Sequence, residues 1–192
     1  MTHIEGTRPG MVRLRLFTAI LSLMLLVPWT TAADESLFVH TYDVLFVGFG
    51  GALGLSNFDE YDAGDPSGGV TLRVGGRPFE PFAWEVEGDY FIKFAEGEVS
   101  PLLVTANVRW MPRNPAKQWQ PFLLAGSGWM QARQDEDGKF DALDSGVFRL
   151  GAGVEMIRSL DLAVRLDAQY LLPVGDANEF QFAALLLTIQ IY

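Results

Sequence analysis

Apolar and polar side chains alternate along several segments of the chain, most regularly from Leu160 to Leu172. In this segment the even-numbered residues up to Tyr170 are apolar, whereas Arg165, Asp167 and Gln169 have the other parity. Because successive side chains of a β-strand point to opposite faces, the pattern predicts a strand with one apolar and one charged face. Roughly a dozen residues is long for a strand of a soluble domain and suits a tilted strand that crosses a membrane.

The same alternation recurs between breaks rich in Gly, Pro, Asp and Glu, and it predicts eight strands. We expect them at about residues 42–55, 69–75, 84–94, 102–110, 119–132, 148–156, 160–172 and 180–192. The fifth is the least regular, and there we expect Phe122, Leu124 and Met130 to face outward and Ser127 and Gln131 inward. An even number of amphipathic strands, each about 10 residues long, predicts an all-β, eight-stranded antiparallel up-and-down transmembrane β-barrel. Only a closed barrel pairs every backbone group of such strands inside a bilayer.

The connections between the predicted strands differ in length and charge. Short turns are expected at Gly75–Pro78, Met111–Gln118 and Ile157–Ser159, and longer loops at Asn57–Ser67, Ala95–Ser100, Arg133–Ser145 and Pro173–Glu179. The longer loops are acidic, and Arg133 and Lys139 are their only bases. We therefore expect these loops outside the cell and both chain termini in the periplasm. Four aromatic residues are then expected to form a girdle at the periplasmic boundary: Trp84, Trp110, Trp119 and Tyr192.

The N-terminal segment has a different pattern. Three arginines, Arg8, Arg13 and Arg15, precede an apolar run from Leu16 to Trp29, and small residues follow it up to Ala33. This order predicts a secretory signal peptide over residues 1–33 and a barrel domain over residues 34–192. The run is shorter than the ~20 residues that a transmembrane helix needs, so an uncleaved anchor is the weaker interpretation.

Charge and cysteine content narrow the class of protein. The net charge of the 192 residues is −10, and removing residues 1–33, with three Arg and one Glu, leaves −12. Nucleic acid is an unsuitable partner for so acidic a surface. The chain has no cysteine, which excludes disulfides and thiolate metal sites.

Nine charged residues have the inward parity of the predicted barrel: Arg73, Glu85, Glu87, Asp89, Arg109, Arg149, Glu155, Arg165 and Asp167. The interior of an eight-stranded barrel is just wide enough for side chains to fill it. Charges of both signs inside it must pair, because burying an isolated charge is very costly. We expect a paired network that closes the lumen, with a narrow or gated ion path through the same residues as the alternative.

The segments Phe46–Gly51, Phe148–Glu155 and Leu162–Tyr170 resemble the small eight-stranded outer-membrane barrels of Gram-negative bacteria, the family of the OmpA transmembrane domain, OmpX and the opacity-type proteins. The resemblance covers essentially the whole chain after residue 33 and implies location in the outer membrane. It also implies contact with outer-membrane lipid and lipopolysaccharide, and insertion by the barrel-assembly machinery through a C-terminal strand that ends in an aromatic residue. Tyr192 supplies that residue but shares its parity with Thr188 and Gln190, which departs from the family pattern. The peptidoglycan-binding domain of full-length OmpA-type proteins is also expected to be absent.

No residue set predicts catalysis, a cofactor or a metal centre. Enzymes on similar barrels use a His base, and after residue 33 only His40 remains, ahead of the first strand. The acidic run Gln134–Lys139 lacks the ligand spacing of a calcium loop. We expect a structural or surface-interaction role through the acidic loops, involving extracellular ligands or host surfaces. Two alternatives stay open: a porin-like conduit for ions or small apolar compounds, and a soluble lipocalin-like barrel with its apolar face inward.

Overall fold

The computed structural model describes residues 44–56, 66–79, 81–92, 99–112, 119–136, 139–157, 162–178 and 180–192. They form eight strands: β1 (Val44–Ser56), β2 (Pro66–Phe79), β3 (Phe82–Ile92), β4 (Val99–Trp110), β5 (Trp119–Glu136), β6 (Lys139–Ile157), β7 (Leu162–Gly175) and β8 (Phe182–Ile191). Each strand pairs antiparallel with the next, and β8 pairs with β1, which closes the barrel. The predicted fold class is therefore confirmed. The predicted signal peptide, residues 1–33, lies outside the described residues.

The register fixes the tilt of the strands. A path through hydrogen-bonded neighbours that leaves β1 at Phe46 returns to it ten residues later, at Ser56. With a rise of about 3.3 Å per residue and a strand spacing of about 4.7 Å, this shear corresponds to a tilt of about 40°. We call the end of the barrel that holds Val44 and Tyr192 the terminal end, and the opposite end the loop end.

Burial alternates residue by residue along the strands. In β3, for example, Trp84, Val86 and Tyr90 are exposed on the outer wall, whereas Glu85 and Glu87 are buried in the lumen. Val108 in β4 is 53% exposed and the adjacent Arg109 is fully buried. The apolar face thus points out and the ionic face in, as predicted. No helix among the described residues has the length and hydropathy to cross a membrane.

Several connections are shorter than the sequence indicated. The predicted turn Gly75–Pro78 belongs to β2, and the predicted loop Pro173–Glu179 begins inside β7. Most of the predicted loop Arg133–Ser145 is a β-hairpin, with β5 and β6 paired up to Glu136 and Lys139. Backbone pairing does not require apolar side chains, so the ladder of hydrogen bonds continues where the alternation ends.

The predicted orientation of β5 is wrong. Phe122, Leu124 and Met130 are buried in the lumen, whereas Ser127 lies on the outer wall and Gln131 shares its parity. Apolar residues occur on both faces of β5, because its inward side chains belong to the two apolar clusters of buried residues. The alternation of apolar and polar residues therefore did not indicate which face of β5 points into the lumen.

Candidate functional site: a charge ladder in the lumen

All nine predicted inward charges are buried, each at most 2% exposed. A tenth charge, Arg77, joins them. The sequence predicts a turn at Gly75–Pro78, but β2 continues through Arg77, which shares the inward parity of Arg73. Its parity with Arg73 was the signal that could have identified it.

Nine ion pairs connect these ten residues into one unbranched chain in which the sign of the charge alternates. From the loop end to the terminal end the order is Asp89, Arg149, Glu87, Arg73, Asp167, Arg165, Glu85, Arg109, Glu155 and Arg77. We call this set the charge ladder. Its five guanidinium groups and five carboxylates cancel in formal charge.

The loop-end half of the ladder is centred on Glu87. Its Oε1 lies 2.6 Å from Arg149 Nη1 and 3.3 Å from Arg73 Nη2. Arg149 also pairs with Asp89, which ends the ladder. Arg73 reaches Asp167 Oδ2 at 3.3 Å and so connects this half to the other.

The terminal-end half is centred on Glu85. Arg165 holds this carboxylate with two hydrogen bonds, 2.7 and 3.2 Å long, and Arg109 Nε lies 3.0 Å from its Oε2. Arg109 Nη1 donates to Glu155 Oε2 at 2.9 Å. Arg165 also pairs with Asp167, and Arg77 with Glu155. Each inner charge therefore has two partners of opposite sign.

Most of these pairs join strands that are not neighbours in the wall. Arg149 on β6 reaches across to β3, and Arg73 on β2 reaches β7. Removing charges from water costs several kcal/mol per ion, and good geometry with extra hydrogen bonds is needed to offset it. Aromatic faces add to that compensation, since the guanidinium of Arg165 lies 4.4 Å from the ring centre of Phe122.

Tyr192 lies inside the barrel and not in an outer girdle, which corrects its predicted position. Its hydroxyl bonds to Glu155, to Arg77 at 3.0 Å and to Gln190 at 2.7 Å. The register that pairs Ile191 with both neighbouring strands turns Ile191 outward, so the next residue must face inward. The other three predicted girdle residues, Trp84, Trp110 and Trp119, are 43–44% exposed on the outer wall.

The lumen has a different composition at the loop end. There the buried side chains form an apolar cluster of Ala52, Phe91, Val99, Leu103, Met130, Ala132, Val147, Leu171, Ala177, Phe182, Ala184 and Leu186. The rings of Phe91 and Phe182 meet edge to face with centroids 5.0 Å apart. The register places Leu103 opposite Asp89 and Leu171 opposite Arg149, so the apolar cluster begins where the charge ladder ends.

The described residues contain no group of side chains arranged to hold a metal ion. They include no histidine, and no three His, Cys, Asp or Glu side chains are grouped to hold a metal ion. The ladder can pair charges across the lumen.

Comparison with known proteins identifies the fold. No family model matches the chain, and no curated protein is similar to it in sequence. Solved structures are similar at low identity. Neisserial surface protein A superposes with a TM-score of 0.67 at 13% identity, covering 77% of this chain and 96% of that one. Ail of Yersinia pestis superposes with a TM-score of 0.58 at 13% identity, covering 79% of this chain and 99% of that one. The N-terminal barrel domain of Pseudomonas aeruginosa OprF superposes with a TM-score of 0.57 at 8% identity, covering 76% of this chain and 96% of that one. The chain therefore has the fold of small eight-stranded outer-membrane barrels.

Proposed function

We propose that the protein is an integral barrel of a bacterial outer membrane, with its terminal end in the periplasm. The observation that carries the proposal is the contrast between an apolar outer wall and a paired ionic lumen. Leu45, Val70 and Leu187, on three different strands, are each more than half exposed on the outside. So continuous an apolar surface is unsuited to water and suited to acyl chains. Trp84, Trp110 and Trp119 would lie in the periplasmic headgroup region.

Fractionation tests the location. The protein is expected in the membrane fraction, extracted only by detergent, with a gel mobility that changes on boiling. Recovery in the soluble periplasmic fraction would favour the lipocalin-like alternative, which requires the opposite orientation of the two faces. Insertion would require lipid and the barrel-assembly machinery as partners, with β8 as the recognised strand.

We further propose that the lumen is closed and that the protein is neither a conduit nor an enzyme. The charge ladder and the apolar cluster together occupy successive levels of the interior with fully buried side chains. In planar bilayers the unmodified protein is expected to give no steady conductance. A reproducible conductance that changes in Glu87→Ala or Arg109→Ala would establish the ion path instead.

We further propose that the protein interacts with partners at the cell surface through the acidic loops that connect its strands. In the sequence, Asp135, Glu136 and Asp137 follow one another where β5 ends, and the two strands of the β5–β6 hairpin are paired up to Glu136 and Lys139. Ail was crystallised with the heparin analogue sucrose octasulfate, a polyanion. The acidic hairpin of this chain favours the opposite charge, a cationic ligand or host surface.

Binding of whole cells to immobilised polylysine and to heparin tests this role. Cells that display the protein are expected to bind polylysine and not heparin. A triple variant, Asp135→Asn, Glu136→Gln and Asp137→Asn, should lose the binding. Equal binding by the variant and the unmodified protein would contradict a role for the hairpin.

A further inference from the structure

At the loop end, β6 extends beyond the strand that pairs with it on one side. Its ladder with β7 runs from Ile157 to Ser145, which lies opposite Gly175. Residues 139–144 continue the strand and pair with β5. We call these residues the β6 edge. No other strand among the described residues pairs with them, so the side of the β6 edge away from β5 presents backbone N–H and C=O groups to its surroundings.

β7 does not follow β6 further because its backbone turns at this level. Gly175 has a φ of 121°, a left-handed conformation that favours glycine and ends the strand. In the turn that follows, Asn178 N donates to Gly175 O at 3.2 Å. Ala177 N donates to Ser145 Oγ at 2.7 Å, which holds the turn against β6. The turn is therefore fixed beside Ser145 and does not continue along the β6 edge.

The surroundings of the β6 edge are polar. The side chains of Ala142 and Asp144 are exposed. On the outer wall at the same level, Gln131 Nε2 donates to Asp144 Oδ1 at 3.2 Å, and Arg133 Nε donates to Gln131 Oε1 at 3.2 Å. Charged and amide groups with outward parity are unsuited to acyl chains. The β6 edge therefore lies above the hydrocarbon, where another protein could reach it.

An unpaired strand edge is a template for one more strand. The β6 edge is about 20 Å long at a rise of about 3.3 Å per residue. Because backbone groups of alternate residues point to the same side of a strand, it offers about three N–H and three C=O groups to a partner. Its pairing with β5 already holds these groups in an extended conformation. A bound segment would therefore pay the cost of its own ordering, and little more for the hairpin.

The charge around the β6 edge selects the partner. Residues 135–144 contain one base, Lys139, and five acids: Asp135, Glu136, Asp137, Asp141 and Asp144. Asp176, in the turn beside Ser145, is exposed as well. A second copy of the chain would bring the same acids against these, and like charges on paired strands are destabilising. A basic segment would meet opposite charge.

We propose that the β6 edge binds an extended, lysine- or arginine-rich peptide segment of another protein, which pairs with residues 139–144 as an additional strand. The inference rests on the surface role proposed above and specifies its ligand. Backbone hydrogen bonds would provide strand pairing, and the acidic side chains would select for positive charge.

Peptide binding to the full-length protein, refolded in detergent, tests the pairing. The probe is a short peptide of alternating lysine and threonine. Its control is the same peptide with every backbone nitrogen methylated, which keeps the side-chain charge but has no N–H donor. The control is expected to bind about tenfold more weakly or worse, because it cannot complete the hydrogen bonds of a strand ladder. Equal affinities would overturn the added strand but leave the surface role in place, whereas absence of binding by both peptides would overturn both.

Hydrogen exchange locates the bound peptide. With the unmethylated peptide, the backbone amides of residues 139–144 are expected to exchange more slowly, and those of the strands near the terminal end should be unchanged. Protection confined to another segment would overturn the site. So would protection of residues 139–144 without peptide in a concentration-dependent dimer, because a second copy would then occupy the β6 edge.

The triple variant Asp135→Asn, Glu136→Gln and Asp137→Asn separates charge from backbone pairing. It removes three negative charges and leaves residues 139–144 unchanged. Both peptides are expected to bind this variant more weakly than the unmodified protein, with the ratio of their affinities still about tenfold. A ratio near one in the variant would contradict pairing at the β6 edge.

Discussion

The two halves of the lumen are equally buried but are held together by different physics. In the half near the terminal end, ten charges alternate in one ladder beside a small apolar cluster of Ala83, Met111, Phe122 and Leu124, and each charge depends on the position of its neighbours. In the half near the loop end, the apolar cluster is held by burial and close packing. The same strand supplies both, since β3 contributes Glu85, Glu87 and Asp89 to the ladder and Phe91 to the cluster.

The contrast indicates that the two parts of the lumen constrain the barrel in different ways. Cross-lumen ion pairs form only when several strands have the correct register at once, so the ladder favours one arrangement over others. Apolar packing tolerates changes of shape as long as volume is kept. We expect the ladder to be sensitive to charge and the cluster to be sensitive to volume.

The largest effect is expected from Arg165→Met, which removes the central cation of the ladder. Glu85 would lose both of its hydrogen bonds to Arg165 and Asp167 one partner, leaving buried negative charge without full compensation. We expect a loss of about 3–5 kcal/mol in the free energy of unfolding, measured by urea titration in detergent. Arg133→Met on the exposed rim is the matched control and should change stability by less than about 0.5 kcal/mol. A similar loss in both variants would mean that the ladder is not a coupled unit.

A volume change in the apolar cluster is the next test. Phe182→Ala removes a fully buried ring that packs on Phe91, and we expect a loss of about 3 kcal/mol. Phe182→Leu keeps most of the volume and should cost less than about 1.5 kcal/mol. If the two variants were equally destabilised, packing would not be what holds the loop end together.

A backbone test compares two glycines of the wall. A Cβ at Gly128 would lie 2.0 Å from the carbonyl oxygen of Val104, whereas a Cβ at Gly68 meets nothing within 4 Å. Gly128→Ala should cost about 1–3 kcal/mol through forced displacement of β4, which supplies residues to both halves. Gly68→Ala should be close to neutral in the same unfolding assay. Neutral behaviour of Gly128→Ala would show that the strand spacing of the wall adapts freely.

The smallest effect is expected at the terminal end. Tyr192→Phe removes a hydroxyl that bonds Glu155 and Arg77 but leaves all nine ion pairs of the ladder in place. We expect a loss of about 1–2 kcal/mol, measured in the same way. Tyr170→Phe, which removes a hydroxyl bonded to Gln181, is the matched control and should cost about 1 kcal/mol or less. A cost as large as that of Arg165→Met would show that closure of the terminal end, and not ladder pairing, dominates stability.

Much of the architecture could be predicted from alternation alone. In β2, β3, β4, β6 and β7 the two parities differ so strongly that the inward face of each strand and the nine inward charges follow from the sequence. In β5 both parities are apolar, and the prediction failed there. Arg77 was missed because a Gly-Gly-Arg-Pro stretch has turn chemistry, and Tyr192 because an aromatic terminal residue is typical of the lipid face.

The sequence by itself determined the strands, the closed barrel and the separation of apolar from ionic faces, because all three depend on a local period of two residues. Only the tertiary structure decided which charges meet, since partners such as Arg73 and Asp167 are 94 residues apart and are brought together by the tilt and shear of the whole barrel. It also decided that the charge ladder ends below the apolar cluster at the loop end, because that arrangement depends on the relative heights of residues on eight strands.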